Sequence, residues 1–502
     1  MLELSGQPLT LEQMAAVANR KLGVVLSNAA LQNMRASRDV IDHLILQGRI
    51  VYGVNTGFGK LSDVHIPASE LDLLQLNLVR SHSCGIGDPL SESETRAMML
   101  LRANVLALGN SGCRVELVKA LLNMLDRGVH AVIPEKGSVG ASGDLAPLAH
   151  LALSMIGEGE CFYRGQRLPS GEALRQAELS PIRLAAKEGL ALLNGTQAMG
   201  AIGGLAIHRA QRVTALADLA GAMALEALRG TPVAFDGRIH RARPHAGQLA
   251  SAAHLRDLLR NSEIRRSHLT DDPRVQDAYS LRCMPQVHGA VRDALQHARG
   301  VVEIESGAAT DNPLVFAETG DVLSGGNFHG APLALVFDYA AMAITDLMSI
   351  SERRIDRLVN PDVNEGLPPF LSSRPGTSSG YMIAQICAVS LLNEAKVLAH
   401  PASIDNVPTS GAKEDHVSMG MTAAIKLRNI VSNAEHVIAI ELLAAAEGLE
   451  YRAPLRSSEP IEHAHDLIRT AVPRLTEDRP LSYDIERIAA AIRRGDFDEF
   501  IT

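Results

Sequence analysis

From residue 331 to 350 the chain reads APLALVFDYAAMAITDLMSI, a run that is apolar around most of the circumference of any helix built on it. Such a helix needs cover on nearly all sides, which the core of a bundle supplies and an oligomer supplies more fully. The stretches 201–229, 285–305, 331–358, 380–400 and 421–448 share its texture. They have few breakers, many helix formers and lengths above about 18 residues, so each is read as a long helix. The chain has no Trp and only 3% aromatics, so its core must be filled by Leu, Ala, Ile, Val and Met. That filling suits close-packed helices better than aromatic-rich strands. The expectation is a mainly α protein with a long central helical bundle, assembled as a multimer.

Residues 1–200 read differently. Short apolar segments alternate with turns rich in Gly, Ser and Pro, as in VYGVNTGFGKLSD and VIPEKGSVGASGDLAP. A chain of 502 residues exceeds what one compact core usually needs. The expected division is a mixed N-terminal domain over 1–200 and a long-helix bundle with a C-terminal helical region over 201–502.

Several classes of function fall away. A net charge of −9 disfavours nucleic acid as a main partner, because phosphate binding needs a basic face. The densest basic cluster, Arg353, Arg354 and Arg357, reads as a solvated helix face. The five cysteines (Cys84, Cys113, Cys161, Cys283 and Cys387) are odd in number and lack CxxC spacing. They argue against a disulfide framework or a zinc site and for a reducing cytoplasm. His463 and His465 stand two apart with no HExxH, so no metal is expected. The N-terminus lacks a basic region followed by an apolar run, and no apolar stretch approaches the ~18 residues of a membrane helix, so no membrane partner is expected. Gly53–Lys60 (GVNTGFGK) looks like a phosphate-binding loop. It has one residue too many between Gly53 and Gly59, and Leu61 stands where Ser or Thr would hold magnesium.

The chemistry concentrates in Gly137–His150, GSVGASGDLAPLAH. Gly137, Gly140 and Gly143 permit tight backbone approach and positive φ. Asp144 can accept backbone hydrogen bonds, and a helical pattern starts directly after it. In such a bend the Gly143 amide nitrogen can reach the Ala141 carbonyl carbon. Attack there closes a five-membered ring, and loss of that water and of the Ser142 hydroxyl leaves an exocyclic methylidene. Taken alone, an Ala-Ser-Gly bend is far more often a glycine-rich turn capping a helix.

The segment closely resembles the signature of the histidine, phenylalanine and tyrosine ammonia-lyase family, and the resemblance runs from about Leu9 to the C-terminal region. In that family the tripeptide, here Ala141-Ser142-Gly143, cyclises on its own into methylidene-imidazolone, with no external cofactor. VYGVNTGFG resembles the loop that places a catalytic tyrosine, Tyr52. LVRSHSCGIGDP resembles the selectivity segment, where Ser81-His82 matches members acting on histidine. LLNGTQA supplies Asn194, QDAYSLRCMPQVHG supplies Gln276, Tyr279 and Arg282, SGGNFHG supplies Phe328, and KEDHVSMG supplies Glu414. Gln276, Tyr279 and Arg282 recur every three residues and would lie on roughly one side of a helical or turn-like backbone. The same spacing also describes an exposed amphipathic strip. One departure is Lys413, which stands beside Glu414 where members acting on histidine carry Gln. It adds a positive charge in a position to pair with that carboxylate.

The resemblance implies elimination of ammonia from histidine to give trans-urocanate. Breaking an unactivated Cβ–H bond and expelling an amine call for an electrophile and a base. In that scheme Arg282 grips the substrate carboxylate with Asn194 assisting. Tyr52 is the preferred base and Tyr279 the alternative, and nearby positive charge would depress the tyrosine's pKa. His82 and Glu414 hold the imidazole, and Phe328 and Gln276 shape the electrophile's surroundings. The resemblance also implies a homotetramer whose active sites draw on several chains. A tyrosine or phenylalanine lyase, an aminomutase, and a non-catalytic helical scaffold remain as alternatives. The fumarase-type signature GSSxMPxKxN is missing.

Overall fold

The computed structural model describes residues 1–57, 59, 63–270, 272 and 274–501. Lys60 and Leu61, on which the rejection of a phosphate loop leans, lie outside them. Near the N-terminus helices start where the chain offers a cap or a sharp bend. Helix α1 (Leu71–His82) follows a short 3₁₀ turn and carries His82 at its last position. Helix α2 (Glu92–Ala107) opens on a capping box. Ser91 Oγ accepts the Glu94 N–H at 3.3 Å, and Glu94 Oε2 accepts the Ser91 N–H at 2.9 Å, so two orphan amides are satisfied reciprocally. Helix α3 (Leu145–Met155) begins immediately after Asp144, and α4 (Glu188–Leu193) is a single short turn ending at Asn194.

The long breaker-poor stretches follow. They are α5 (Gln197–Ala227), α7 (Met284–Ser306), α8 (Ala331–Val359), α9 (Met382–Leu398) and α10 (Gly420–Glu450), with a short α6 (Tyr279–Arg282) before α7. Every expected long helix is present, with ends shifted by at most four residues. The mainly α reading therefore holds, and strands are few and short. Glu160–Tyr163 and Gln166–Pro169 form a hairpin whose two turn residues, Arg164 and Gly165, both have positive φ (49° and 77°). That is the turn whose twist matches paired strands.

The chain folds as two compact units, each built from several segments. The first comprises Met1–His208, Ala298–Asp338 and Pro401–Ile425. Its centre is α2, where every residue from Glu94 to Ala107 is buried. Buried Asn104 there accepts the Gly6 N–H at 3.2 Å and donates to the Gln7 and Ser306 carbonyls at 2.9 Å each.

The second unit comprises Arg209–His297, Tyr339–His400 and Lys426–Thr502. Arg354 corrects the reading of the basic cluster. Its side chain is fully buried, and it grips Glu441, which is equally buried, through Nε–Oε1 at 2.5 Å and Nη2–Oε2 at 3.0 Å. His288 stands 3.3 Å from Arg354 Nη1 and hydrogen-bonds through Nδ1 to buried Asp218 at 2.7 Å. Asp218 also receives His254 at 3.1 Å and Arg292 at 2.7 Å.

Helix α8 also departs from expectation, being long and apolar enough to cross a membrane. Two-thirds of its most apolar window (67%) is buried inside the protein, the pattern of a core helix. A stripe of the same helix stays uncovered within the chain: Leu335 is 59%, Tyr339 45% and Met342 44% exposed.

Candidate active site

Residues 137–144 form a bend pinned on several sides. Gly195 O accepts the Asp144 N–H at 2.7 Å, and Gly143 pairs with Gly195 in a parallel bridge. The Met419 N–H donates to Val139 O at 2.8 Å, and Ser418 Oγ donates to Gly140 O at 3.0 Å. Gly143 has φ +73°, and a Cβ there would lie 2.2 Å from Gly195 O, so only glycine fits. Asp144 does not cap its own helix. Its carboxylate accepts Ser138 Oγ and the Met199 N–H, each at 2.8 Å. Full burial pushes this carboxyl up, against those hydrogen bonds, to about 6.

Beside the bend lies a cavity of about 300 Å³, lined among others by Tyr52, His82, Ser142, Asn194, Ser410 and Glu414. Every lining residue belongs to the first unit. Ser142 Oγ donates to Glu414 Oε1 at 2.7 Å. Thr409 Oγ1 donates to Glu414 Oε2 at 2.6 Å. Burial raises the Glu414 carboxyl, but hydrogen bonds from the hydroxyls of Thr409, Ser142 and Ser410, with a smaller electrostatic contribution from His82 when it is protonated, outweigh it, so the group sits below the ordinary glutamate value. Lys413 is exposed and makes no ion pair with Glu414 among the described residues, because the neighbouring hydroxyls occupy the carboxylate instead.

His82 is anchored one turn back along α1, its Nδ1 lying 2.9 Å from Leu78 O. A carbonyl can only accept, so Nδ1 carries the proton and Nε2 presents a lone pair. Burial pulls the His82 pKa below its ordinary value, against the opposing effects of the Leu78 carbonyl and Glu414. The ring is therefore neutral at neutral pH. Asn194 is buried at the end of α4, and its Oδ1 has no hydrogen-bond partner among the described residues.

The structure thus brings Tyr52, His82, Ser142, Asn194 and Glu414 to one cavity, with Ala141 and Gly143 flanking Ser142. Phe328 is half-buried in a turn joined to the bend through Gly330, whose N–H donates to Gly140 O at 3.3 Å, but it is not among the lining residues. Gln276, Tyr279 and Arg282 lie in the second unit. There Gln276 is exposed, Tyr279 is 70% exposed, and the Arg282 guanidinium stacks 4.6 Å from the Tyr279 ring. Sequence reasoning missed Leu78, Leu190, Leu193, Thr409 and Ser410. Only Leu78 carried a signal, its helical spacing of four from His82. Among the described residues no group of three or more His, Cys, Asp or Glu side chains gathers as a metal site. The five cysteines are all free thiols.

The profile of the aromatic amino acid lyase family matches residues 9–470, and the chain belongs to that family. It is 55% identical over 500 residues to a histidine ammonia-lyase of Anaeromyxobacter sp. (strain K), covering 98% of each chain. Among solved structures it is similar to histidine ammonia-lyase from Trypanosoma cruzi, with a TM-score of 0.93, 43% identity, and coverage of 100% of this chain and 94% of that one. It also resembles tyrosine aminomutase from Streptomyces globisporus, with a TM-score of 0.94, 37% identity, and coverage of 100% and 98%.

Proposed function

We propose that this chain eliminates ammonia from L-histidine to give trans-urocanate, using a methylidene-imidazolone formed from Ala141, Ser142 and Gly143. The observation that carries the reading is the presence of both His82 and Glu414 on the wall of the cavity beside Ser142. Both present acceptors to a ligand, and an imidazole ring offers N–H donors that a phenyl ring lacks. Glu414 Oε1 loses its Ser142 hydroxyl partner when the ring forms, and an apolar substrate ring would leave that oxygen without a donor, a costly mismatch. Full-length identity to histidine ammonia-lyases points the same way.

The bend fits the ring-forming role. Gly143 sits where no Cβ is tolerated, and Ser142 holds its hydroxyl toward the cavity. The ring, once formed, supplies an electrophile for the substrate amine. The chain's own residues do the rest. Glu414 and His82 orient the imidazole, and Tyr52 stands at the cavity wall as the preferred base for the Cβ proton, with Tyr279 the alternative. Asn194 offers an unpartnered oxygen.

The lining contains no cation among the described residues, whereas gripping a carboxylate calls for one. We assign that grip to Arg282, with Tyr279 and Gln276 beside it, contributed by a neighbouring copy in a homotetramer. The exposed Leu335–Tyr339–Met342 stripe supports such assembly. In this scheme residues 1–200 carry the self-cyclising loop and 201–502 the bundle that supplies those groups. Phe328 shapes the electrophile's surroundings. The reaction is placed in the cytoplasm and needs no external cofactor.

The test is growth of urocanate absorbance from purified protein and histidine with nothing else added. Absence of product, or faster turnover of tyrosine or phenylalanine, overturns the reading. Product analysis with all three amino acids also detects an aminomutase, which would return the amine to Cβ.

Two further outcomes follow from His82. His82→Leu should lower kcat/KM for histidine about 10²-fold and leave any use of phenylalanine less affected. Equal losses on both substrates would remove His82 from specificity. On acidification His82 takes up a proton as pH falls through its depressed pKa and loses its acceptor. The kcat/KM profile for histidine should therefore fall on the acid side, below the ordinary histidine range, and His82→Asn should flatten that limb. An unaltered limb would assign it to another group.

A further inference from the structure

Arg102, on α2, is fully buried, yet its guanidinium is bound by neutral acceptors. Nη1 donates to Asn194 O at 2.9 Å and to Gln197 Oε1 at 2.6 Å, and Nη2 donates to Ala191 O. Nε has no partner among the described residues. A buried cation hydrogen-bonded only to neutral groups, with the Asp311 carboxylate acting on it through space alone, costs free energy that an apolar side chain would not. What the charge gains is position. Ala191 and Asn194 offer the carbonyls at the C-terminal end of α4, where the helix dipole is negative.

Gly195 lies against this guanidinium so closely that a Cβ there would sit 2.4 Å from Arg102 Nη1. The carbonyl of Gly195 meets the bend, accepting the Asp144 N–H at 2.7 Å and standing 2.2 Å from where a Gly143 Cβ would be. Gln197 continues the brace, its Nε2 donating to Thr310 Oγ1 at 2.7 Å. Arg102, Gly195 and Gly143 are thus stacked in that order, with no space between them.

We propose that Arg102 is a positioning residue for ring formation: it fixes the Asn194–Gly195 backbone as the shelf that holds Gly143 in its attacking conformation. The proposal rests on the reading that the tripeptide cyclises. In that step the Gly143 nitrogen bonds to the Ala141 carbonyl carbon. The carbonyl oxygen leaves as water with the Gly143 and Ser142 amide protons. Ser142 then loses its Cα proton and its hydroxyl as a second water, leaving the methylidene. No oxidant or reductant is needed. A loosened shelf lets the nitrogen drift from the carbonyl carbon, and small displacements from an attack geometry are costly in rate.

The test is the intact mass and ring absorbance of purified, folded full-length protein, for the parent, Arg102→Met and Arg102→Lys. The parent should lack two waters, and a parent of unmodified mass overturns the cyclisation reading itself. Arg102→Met, matching the parent in circular dichroism and gel filtration, should carry about tenfold less ring. Arg102→Lys, which keeps the charge but not the planar fork, should recover part of it. Full ring content in a folded Arg102→Met protein overturns the role of Arg102 while leaving cyclisation intact. If Arg102→Met does not fold, Gln197→Met, which removes one acceptor of the guanidinium together with the donor to Thr310 Oγ1, decides. Reduced ring content supports the proposal and undiminished content overturns it.

Discussion

Ser142→Ala is expected to retain in its intact mass at least the water that carries off the Ser142 hydroxyl, and to lose histidine turnover by about 10⁴-fold or more. The change removes the only atom that can leave Cβ, so no methylidene can form. It also frees Glu414 Oε1 of its 2.7 Å bond from Ser142 Oγ. The fold should tolerate it, because Thr409 still holds the other carboxylate oxygen and Ser142 is only half-buried. Circular dichroism should match the parent while the ring absorbance disappears. Turnover at the parent's rate would show that the amine leaves without this electrophile.

Arg354→Met is expected to cost about 3–5 kcal/mol of stability, because it strands the Glu441 carboxylate in a site that water does not reach. His288 would lose a charged neighbour at 3.3 Å and the Asp218 cluster would be disturbed with it. Urea midpoints measure the effect. The double change Arg354→Met with Glu441→Leu should recover most of the loss, because paired removal leaves no uncompensated charge. A single variant as stable as the parent would mean the pair contributes little.

The two residues of that ion pair show where sequence reading stops. Three arginines near residue 354 on a helix read as a solvated face, because a run of charge on a helix usually faces water. The partner, Glu441, stands 87 residues away and meets Arg354 only once both helices are packed. Lys413 failed in the opposite sense. Adjacency to Glu414 implied a pair, but the carboxylate is taken by hydroxyls, one of them 272 residues distant in the chain. The long helices were legible because breaker-poor apolar runs above about 18 residues leave few alternatives. The strands, of two to four residues, are too short to show a period. At the site, Tyr52, His82, Ser142, Asn194 and Glu414 were found through motif resemblance and share a cavity. Among the leucines that line it, Leu78, Leu190 and Leu193 look like any other core positions, and Thr409 and Ser410 look like any loop.

The bend that carries Ser142 is tied to Gly195, Gly330, Ser418 and Met419. A chain leaving the ribosome therefore exposes its tripeptide nearly three hundred residues before the last of its fasteners is made. The site cannot be cocked early. Synthesis order acts as a timer, and a product truncated before residue 419 would keep a slack, unreactive loop even with every tripeptide atom in place.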